Sequence, residues 1–259
     1  MELKDVAEEA ARRAALIIQE GAGSRLDVHH KGEIDLVTQI DLAAEAEIRA
    51  CLSKHTPDIP ILAEEGGGPW DEDTRWIVDP LDGTTNFVHG YPSYAVSIGL
   101  QVQGRLEVGC VFDAVHGRAY TATHGGGAWC GDERLRVSSC AQMDRALLVT
   151  GFPYDRRTNV DKYLKYVREF LVRTQGIRRA GAAAMDFVAL AAGRVDGYWE
   201  FGLNPWDVAA GILLVREAGG TVTDMDGGTL DLMAPRLLAT NGVLHPEMSE
   251  ILRGLVSSD

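Results

Sequence analysis

The segment from Trp76 to Pro92, WIVDPLDGTTNFVHGYP, constrains this chain most, because an apolar run meets two acids, a proline, a glycine and two threonines. Trp76, Ile77 and Val78 are β-prone. Asp79-Pro80 predicts the strand's end, since proline has no ladder donor and restricts the residue before it. Asp82 then falls in the following turn, where Gly83 lets the backbone approach a ligand and Thr84 and Thr85 suit a helix start. Free amides at such a start attract phosphate. Two nearby acids repel unless a cation lies between them, and hard divalent ions such as Mg²⁺ favour carboxylates, carbonyls and phosphate oxygens. Either aspartate alone is explained by an acidic capping turn; the whole segment points to a metal and phosphate site.

DPLDGT also resembles the Asp-x-Asp-Gly-Thr nucleophile motif of haloacid-dehalogenase-type phosphatases, but its acids are three apart rather than two. Residues two apart in a strand share a face and residues three apart do not. The spacing therefore favours metal-activated water without an aspartyl-phosphate intermediate.

Further pieces agree in order along the chain: IDLVTQID from Ile34 to Asp41, AEEGG from Ala63 to Gly67, GAAAMDFVALAAGRVDGYWE from Gly181 to Glu200, and NPWDVAAGILLVREAGG from Asn204 to Gly220. With the Trp76 segment, they identify the chain as resembling the inositol monophosphatase family. The resemblance implies an α/β fold, an α+β half plus an α/β half, in a layered αβαβα sandwich of the inositol monophosphatase and fructose-1,6-bisphosphatase type. It implies two to three Mg²⁺ ions. Glu64, Asp79 and the Leu81 carbonyl would hold the first, Asp79, Asp82 and Asp207 the second, and Glu64 a looser third. Glu64, Thr84 and Asp41 would be catalytic, Thr84 and Asp41 by orienting and deprotonating the attacking water. Gly83 and Thr84 amides would meet phosphate, and Asp82, Gly181, Ala182, Ala183, Glu200 and Asp207 the polyol.

The implied activity is hydrolysis of myo-inositol 1-phosphate by metal-activated water. Fructose-1,6-bisphosphatase, histidinol-phosphatase and 3′-phosphoadenosine-5′-phosphate phosphatase activities share the metal residues and remain alternatives. Glu200 suits ring hydroxyls, whereas a bisphosphate needs basic groups, which the stretch near Arg178 offers. Ala182 departs from relatives that carry Ser or Thr after the glycine, which implies looser discrimination. The family also implies a homodimer, some lithium sensitivity and, from bacterial relatives, an alternative regulatory role with the transcription machinery.

Composition narrows the rest. A net charge of −13 disfavours chain-wide attraction to nucleic acid or anionic lipid. No apolar run approaches membrane-spanning length, and the acidic start MELKDVAEEA lacks signal-peptide character, so cytoplasmic location is expected. Cys51, Cys110, Cys130 and Cys140 form no Cys-x-x-Cys pair and are expected as free thiols. The seven histidines show no zinc pattern.

Apolar periodicity predicts helices over 5–20, 41–53, 160–171, 182–192, 206–218 and 245–255. Asp41 would sit at its helix start, as N-cap or as a functional acid. The 160–171 stripe comprises Val160, Tyr163, Leu164, Val167, Phe170 and Leu171. Eight of the chain's 25 basic residues lie between Arg156 and Arg179, either a solvated face or a rim that steers anionic substrate. YAVSIGLQV, LEVGCVFDAV, RAYTAT and LRVS predict an antiparallel meander, with Gly125-Gly126-Gly127 as a turn rather than a nucleotide loop. Pro205 suits a first helical turn, Gly219-Gly220 a C-cap, and Asp224 and Asp226 a turn. Strands are expected at 196–200, TVTDM and LLATN. Without repeats or a linker, the halves are placed at 1–143, carrying most metal ligands, and 144–259, carrying substrate contacts and Asp207.

Overall fold

The computed structural model of the protein describes residues 1–23, 28–30 and 36–256. Ile34 and Asp35, the start of the IDLVTQID segment, lie outside these. The chain opens with helix α1 (Leu3–Gly21), strands β1 (Val28–His30) and β2 (Leu36–Thr38), which pair antiparallel, and helix α2 (Gln39–His55). Next come β3 (Ile61–Ala63), β4 (Arg75–Asp82), the short helix α3 (Thr84–Val88), β5 (Ala95–Val102), β6 (Arg105–Asp113), β7 (Arg118–Thr123), β8 (Gly127–Cys130) and β9 (Glu133–Arg134). In chain order, β3 to β9 form one seven-stranded sheet, parallel at β3–β4 and antiparallel elsewhere.

The remaining elements are β10 (Leu147–Thr150), α4 (Val160–Leu171), β11 (Gly176–Arg178), α5 (Ala183–Ala191), β12 (Gly197–Glu200), α6 (Pro205–Glu217), β13 (Thr221–Asp224), β14 (Leu237–Thr240) and α7 (His245–Val256). Their five strands form a second mixed sheet in the order β11-β10-β12-β14-β13. The strands of the larger sheet all precede residue 143 and those of the smaller all follow it.

Period-two alternation sorts the layers. Trp76 and Val78 of β4 join Val96 and Ile98 of β5 in a core with α1 and α2. Ile77 faces the other way, into a central core with α5, α6 and Tyr198 of β12. Trp199, the next residue of β12, faces a third core under α4 and α7, where Phe170 lies 4.6 Å from it, ring to ring. Helices therefore cover both outer faces and fill the space between the sheets, the αβαβα sandwich.

Glycines set how closely α6 lies on the larger sheet. Gly99 of β5 and Gly109 of β6 are cross-strand partners beneath it. A Cβ on Gly99 would stand 2.8 Å from Ala209 Cβ, and one on Gly109 2.7 Å from the Ala210 carbonyl oxygen. Ser97 Oγ donates to the Trp206 carbonyl at 3.1 Å, fixing the N-terminal end of α6 over β5.

Several expectations need correction. Strand β4 does not stop at Asp79-Pro80: its register with β5 shifts between Asp79 and Asp82, and pairing resumes at Asp82 with Ala95. The irregularity accommodates a proline that has no ladder donor. LRVS is not a strand, because Val137 N turns away to donate to the Ala218 carbonyl; Gly127–Cys130 and Glu133–Arg134 take the sheet edge instead. Helix α4 buries Tyr163, Tyr166 and Phe170, whereas Val160, Leu164 and Leu171 of the expected stripe are exposed. The meander, the Gly125 turn and the four free cysteines match expectation.

Gly109→Ala is expected to lower stability by about 1–3 kcal/mol through overpacking against α6. Gly254→Ala in α7, where nothing lies within 4 Å of the added Cβ, should be neutral or stabilising. Denaturant melts of both variants check the contrast.

Candidate active site

Segments far apart in sequence converge beside the C-terminal end of β4. Glu64 follows β3 directly, its amide donating to the Val78 carbonyl at 3.1 Å. Asp79 and Asp82 flank the β4 irregularity, and the Leu81 amide donates to Asp79 Oδ1 at 2.9 Å. Asp207 stands in the first turn of α6, where Pro205 begins the helix and the Asn204 amide donates to Asp207 Oδ2 at 2.7 Å. All four acids line one cavity of about 510 Å³, together with Asp186 of α5 and Glu200 of β12.

Asp82 links the larger sheet to α5. Its carboxylate accepts from the Ala183 amide at 3.1 Å and the Ala184 amide at 2.8 Å, donors left free at the start of α5. The Ala183 amide is thereby engaged by protein rather than open to the cavity. Gly181, with φ +88°, carries the chain into this turn, and a side chain there would strike the Arg179 guanidinium. Gly151 similarly leaves the space that the Glu200 carboxylate fills. Glu200 Oε2 accepts from the Tyr198 hydroxyl at 2.6 Å.

Asp41 is not the helix N-cap. That position belongs to Thr38, whose hydroxyl accepts from the Ile40 amide at 3.1 Å, while its own amide donates to Asp41 Oδ2 at 2.9 Å. The other oxygen, Asp41 Oδ1, lies 2.8 Å from Thr84 Oγ1, which is also 3.0 Å from the Leu81 carbonyl. Asp41 is 1 % exposed and sits behind the cavity wall; Thr84 lines it.

Six carboxyl groups face this cavity against two guanidiniums, Arg156 and Arg179, and neither histidine nor cysteine lines it. Burial, reinforced by Glu64, Asp82 and Asp207, pushes the Asp79 carboxyl well above its usual range. Asp82 and Asp207 rise for the same principal reason, loss of water. Glu200 is pushed up to about 7 by burial, against the opposing hydrogen bond from Tyr198 and the charge of Arg179. Asp186 is raised by burial and by Glu200. Among the described residues, Asp186 Oδ2 and Trp206 Nε1 are buried side-chain polar atoms without a hydrogen-bond partner. An oxygen-only donor set with excess negative charge and an orphaned acid oxygen fits hard divalent cations plus a hydroxyl-bearing ligand.

The inositol monophosphatase family model matches residues 1–257. The chain belongs to the inositol monophosphatase family. It is a phosphoric monoester hydrolase. It is 45% identical over 251 residues to the inositol-1-monophosphatase of Synechocystis sp., covering 96% of this chain and 88% of that one. It is 46% identical over 246 residues to Nus factor SuhB of Pseudomonas aeruginosa, covering 92% and 90%. The solved inositol monophosphatase from Anabaena superposes with a TM-score of 0.88 at 40% identity, covering 99% of this chain and 98% of that one. The αβαβα layering is thus that of the inositol monophosphatases.

Every acid named as a candidate site residue lines this cavity except Asp41, which reaches it through Thr84. Sequence reading missed Asp186, although it sits inside the quoted Gly181 segment. Its signal was a lone acid in the otherwise apolar first turn of α5.

The raised acids tie stability of the metal-free family member to pH. Glu200 is protonated in the folded chain well above the pH at which it ionises when unfolded, near 4.3. Its contribution is therefore fully present below that pH and is lost as pH rises through about 7. The Tm of metal-free protein should fall between pH 5 and pH 8, and Glu200→Gln should flatten that slope; differential scanning calorimetry across this range measures both.

Proposed function

We propose that this chain hydrolyses a small polyol phosphate, myo-inositol 1-phosphate foremost, to the free polyol and inorganic phosphate with Mg²⁺ as cofactor. The observation that carries the reading is the cavity's composition: six acids, two arginines, no nitrogen or sulfur ligand, and a Thr84–Asp41 pair at its wall. The name of the Synechocystis relative supports the substrate.

Glu64, Asp79 and the Leu81 carbonyl would hold one Mg²⁺, and Asp79, Asp82 and Asp207 a second, with Glu64 able to serve a third. When bound, such ions lower the pKa of water and offset charge on phosphate and on the departing alkoxide. The protein's own residues do the positioning. With its proton given to Asp41, the Thr84 hydroxyl keeps lone pairs to accept a hydrogen bond from the attacking water. The attacking water gives up a proton toward the Thr84–Asp41 pair as its oxygen bonds to phosphorus, the bond from phosphorus to the polyol oxygen breaks, and that oxygen takes up one proton, so that none is gained or lost overall. The Gly83 and Thr84 amides suit the phosphate oxygens. Glu200 and Asp186 face the polyol side, where protonated Asp186 would donate a hydrogen bond or ionised Glu200 accept one. Ala182 offers no hydroxyl, which supports tolerance of several polyols.

Arg179 lies 5.9 Å from the Phe152 ring, and its charge acts on Glu200 and Asp186. With that charge already offsetting two acids, the cavity favours one phosphate over the two of a bisphosphate. The basic face of α4 is partly committed elsewhere, since Lys165 Nζ donates to the Leu255 carbonyl at 2.9 Å. Any steering rim therefore centres on Arg156 and Arg179. Exposed Val160, Leu164 and Leu171 on α4 support self-association as a homodimer. Among the described residues no helix is long and apolar enough to cross a membrane; a cytoplasmic setting and lithium inhibition accompany the family reading.

A second reading, a role in transcription, is favoured by relatives named Nus factor SuhB at 46% and 42% identity. An Asp79→Asn variant that keeps a cellular effect would support it.

Phosphate release in Mg²⁺ across inositol 1-phosphate, fructose 1,6-bisphosphate, histidinol phosphate and 3′-phosphoadenosine 5′-phosphate tests the main reading. Inositol 1-phosphate should lead, Asp79→Asn should be inactive, and Thr84→Ala should lose roughly 10²–10⁴-fold in kcat. A bisphosphate in the lead overturns the substrate assignment. Asp186→Ala should raise KM for inositol 1-phosphate more than it lowers kcat.

A further inference from the structure

A second cavity, of about 260 Å³, opens at the edge of the larger sheet and shares no lining residue with the acid-rich one. Four arginines line it: Arg118 on β7, Arg134 on β9, Arg136 just beyond β9, and Arg194 in the turn between α5 and β12. In a chain carrying 38 acids and 25 bases, a cavity with four arginines and one acid, Glu133, is the reverse of the average surface.

The floor is built rather than incidental. Arg118 and Tyr120 are two apart on β7 and share a face, and Tyr120 pairs across the ladder with Cys130. Tyr120, Cys130 and Leu135 are 1 %, 9 % and 6 % exposed. The Arg118 guanidinium stands 5.8 Å from the Tyr120 ring centre, and Arg194 interacts with the Tyr120 hydroxyl from the opposite wall. That wall is held tightly. Gly193 has φ +67°, and a Cβ there would lie 3.0 Å from the Arg136 carbonyl oxygen.

The arginines are poorly neutralised by protein. Arg118 approaches Glu133 only to 3.9 Å, and both side chains are largely exposed. Arg134 lies 5.7 Å from the Trp129 ring. Among the described residues, Arg134, Arg136 and Arg194 have no acidic partner, whereas Arg12 and Arg49 on the outer helices each have one and Arg13 has two. Like charges gathered around one cavity repel, and a dianion placed between them relieves that repulsion while accepting paired guanidinium hydrogen bonds.

We propose that this cavity is a binding site for a phosphoryl dianion, separate from the catalytic cavity. Its volume is below the usual range for drug-sized ligands, so one phosphoryl group and a small substituent fit. The chain's net charge of −13 weighs against an extended nucleic acid strand. The ligand is either free inorganic phosphate, which the catalysed reaction itself releases, or a small organic phosphate. In both cases the recognised chemistry is the same dianion.

Equilibrium dialysis of the Mg²⁺-loaded full chain at low ionic strength, with radiolabelled inorganic phosphate, tests this directly. Wild type should bind phosphate at two sites, and Arg118→Ser/Arg194→Ser should lose one, or weaken it at least tenfold, while keeping its turnover of inositol 1-phosphate. Asp79→Asn should lose or alter the other site only. Retained turnover shows that the arginine variant is folded; should it not fold, the exposed pair Arg134→Ser/Arg136→Ser takes its place. Competition by methylphosphonate at the arginine-dependent site separates the two sources: displacement at lower concentration than unlabelled phosphate points to an organic phosphate, and weaker displacement to inorganic phosphate. Equal phosphate binding by wild type and the arginine variants overturns the proposal. So does arginine-dependent binding of a short single-stranded RNA without any arginine-dependent phosphate site, which would make this surface a nucleic-acid contact instead.

Discussion

The close seating of α6 on the Gly99–Gly109 pair is the contact on which the acid-rich cavity depends. Without side chains at those two positions, the helix backbone rests directly on β5 and β6, and the Ser97 bond to the Trp206 carbonyl holds the helix's first turn in place. Asp207 follows Trp206 and so comes to the same cavity as Asp79 and Asp82. A sheet with alanine or valine at either glycine would lift the helix by the thickness of a side chain and move Asp207 with it. Geometry of ångström precision is what polar catalysis requires, and here it comes from the smallest residues of the central layer.

Electrostatics then work against the fold that this seating creates. Six acids in one largely dehydrated cavity repel one another, and loss of water raises their proton affinities. The backbone offsets part of the cost: the first amides of α5 hold Asp82, the Leu81 amide holds Asp79, and the Asn204 amide holds Asp207. These bonds orient the carboxylates but leave much of the negative charge in place. A phosphatase profits from that residue of charge, because it retains cations that a dianionic substrate can then share. The arginine-lined pocket at the other edge of the same sheet has the opposite imbalance, and the core between the two is apolar and buried.

Much of this was legible along the chain. The strand-to-turn chemistry of Trp76 to Pro92 pointed to acids that the structure gathers in one cavity, helix positions were right to within a few residues, and αβαβα layering followed from family resemblance. The errors share a physical cause. Pro80 reads locally as a strand end, yet a register shift lets pairing resume at Asp82. Helix α4 has two apolar faces, and periodicity could not tell which one the sheet would cover. Asp41, open in sequence between N-cap and functional acid, leaves the N-cap to Thr38 and turns one oxygen to Thr84. Gly99 and Gly109 carried a usable signal, since glycine inside a strand often marks close backbone approach.

The sequence by itself determined the chemistry on offer: which residues are acids, which segment turns with a glycine and two threonines, and that this segment brings carboxylates rather than histidine or cysteine. These are properties of residue type and short spacing, and they survive without coordinates. Only the tertiary structure decided that Asp186 joins the cavity with an unpartnered oxygen, that Asp82 is bound by the amides of a helix about a hundred residues later, and that four scattered arginines share one pocket. Those facts depend on how two sheets and the helices between them pack, and long-range packing is set by the sum of many contacts rather than by any local run of residues.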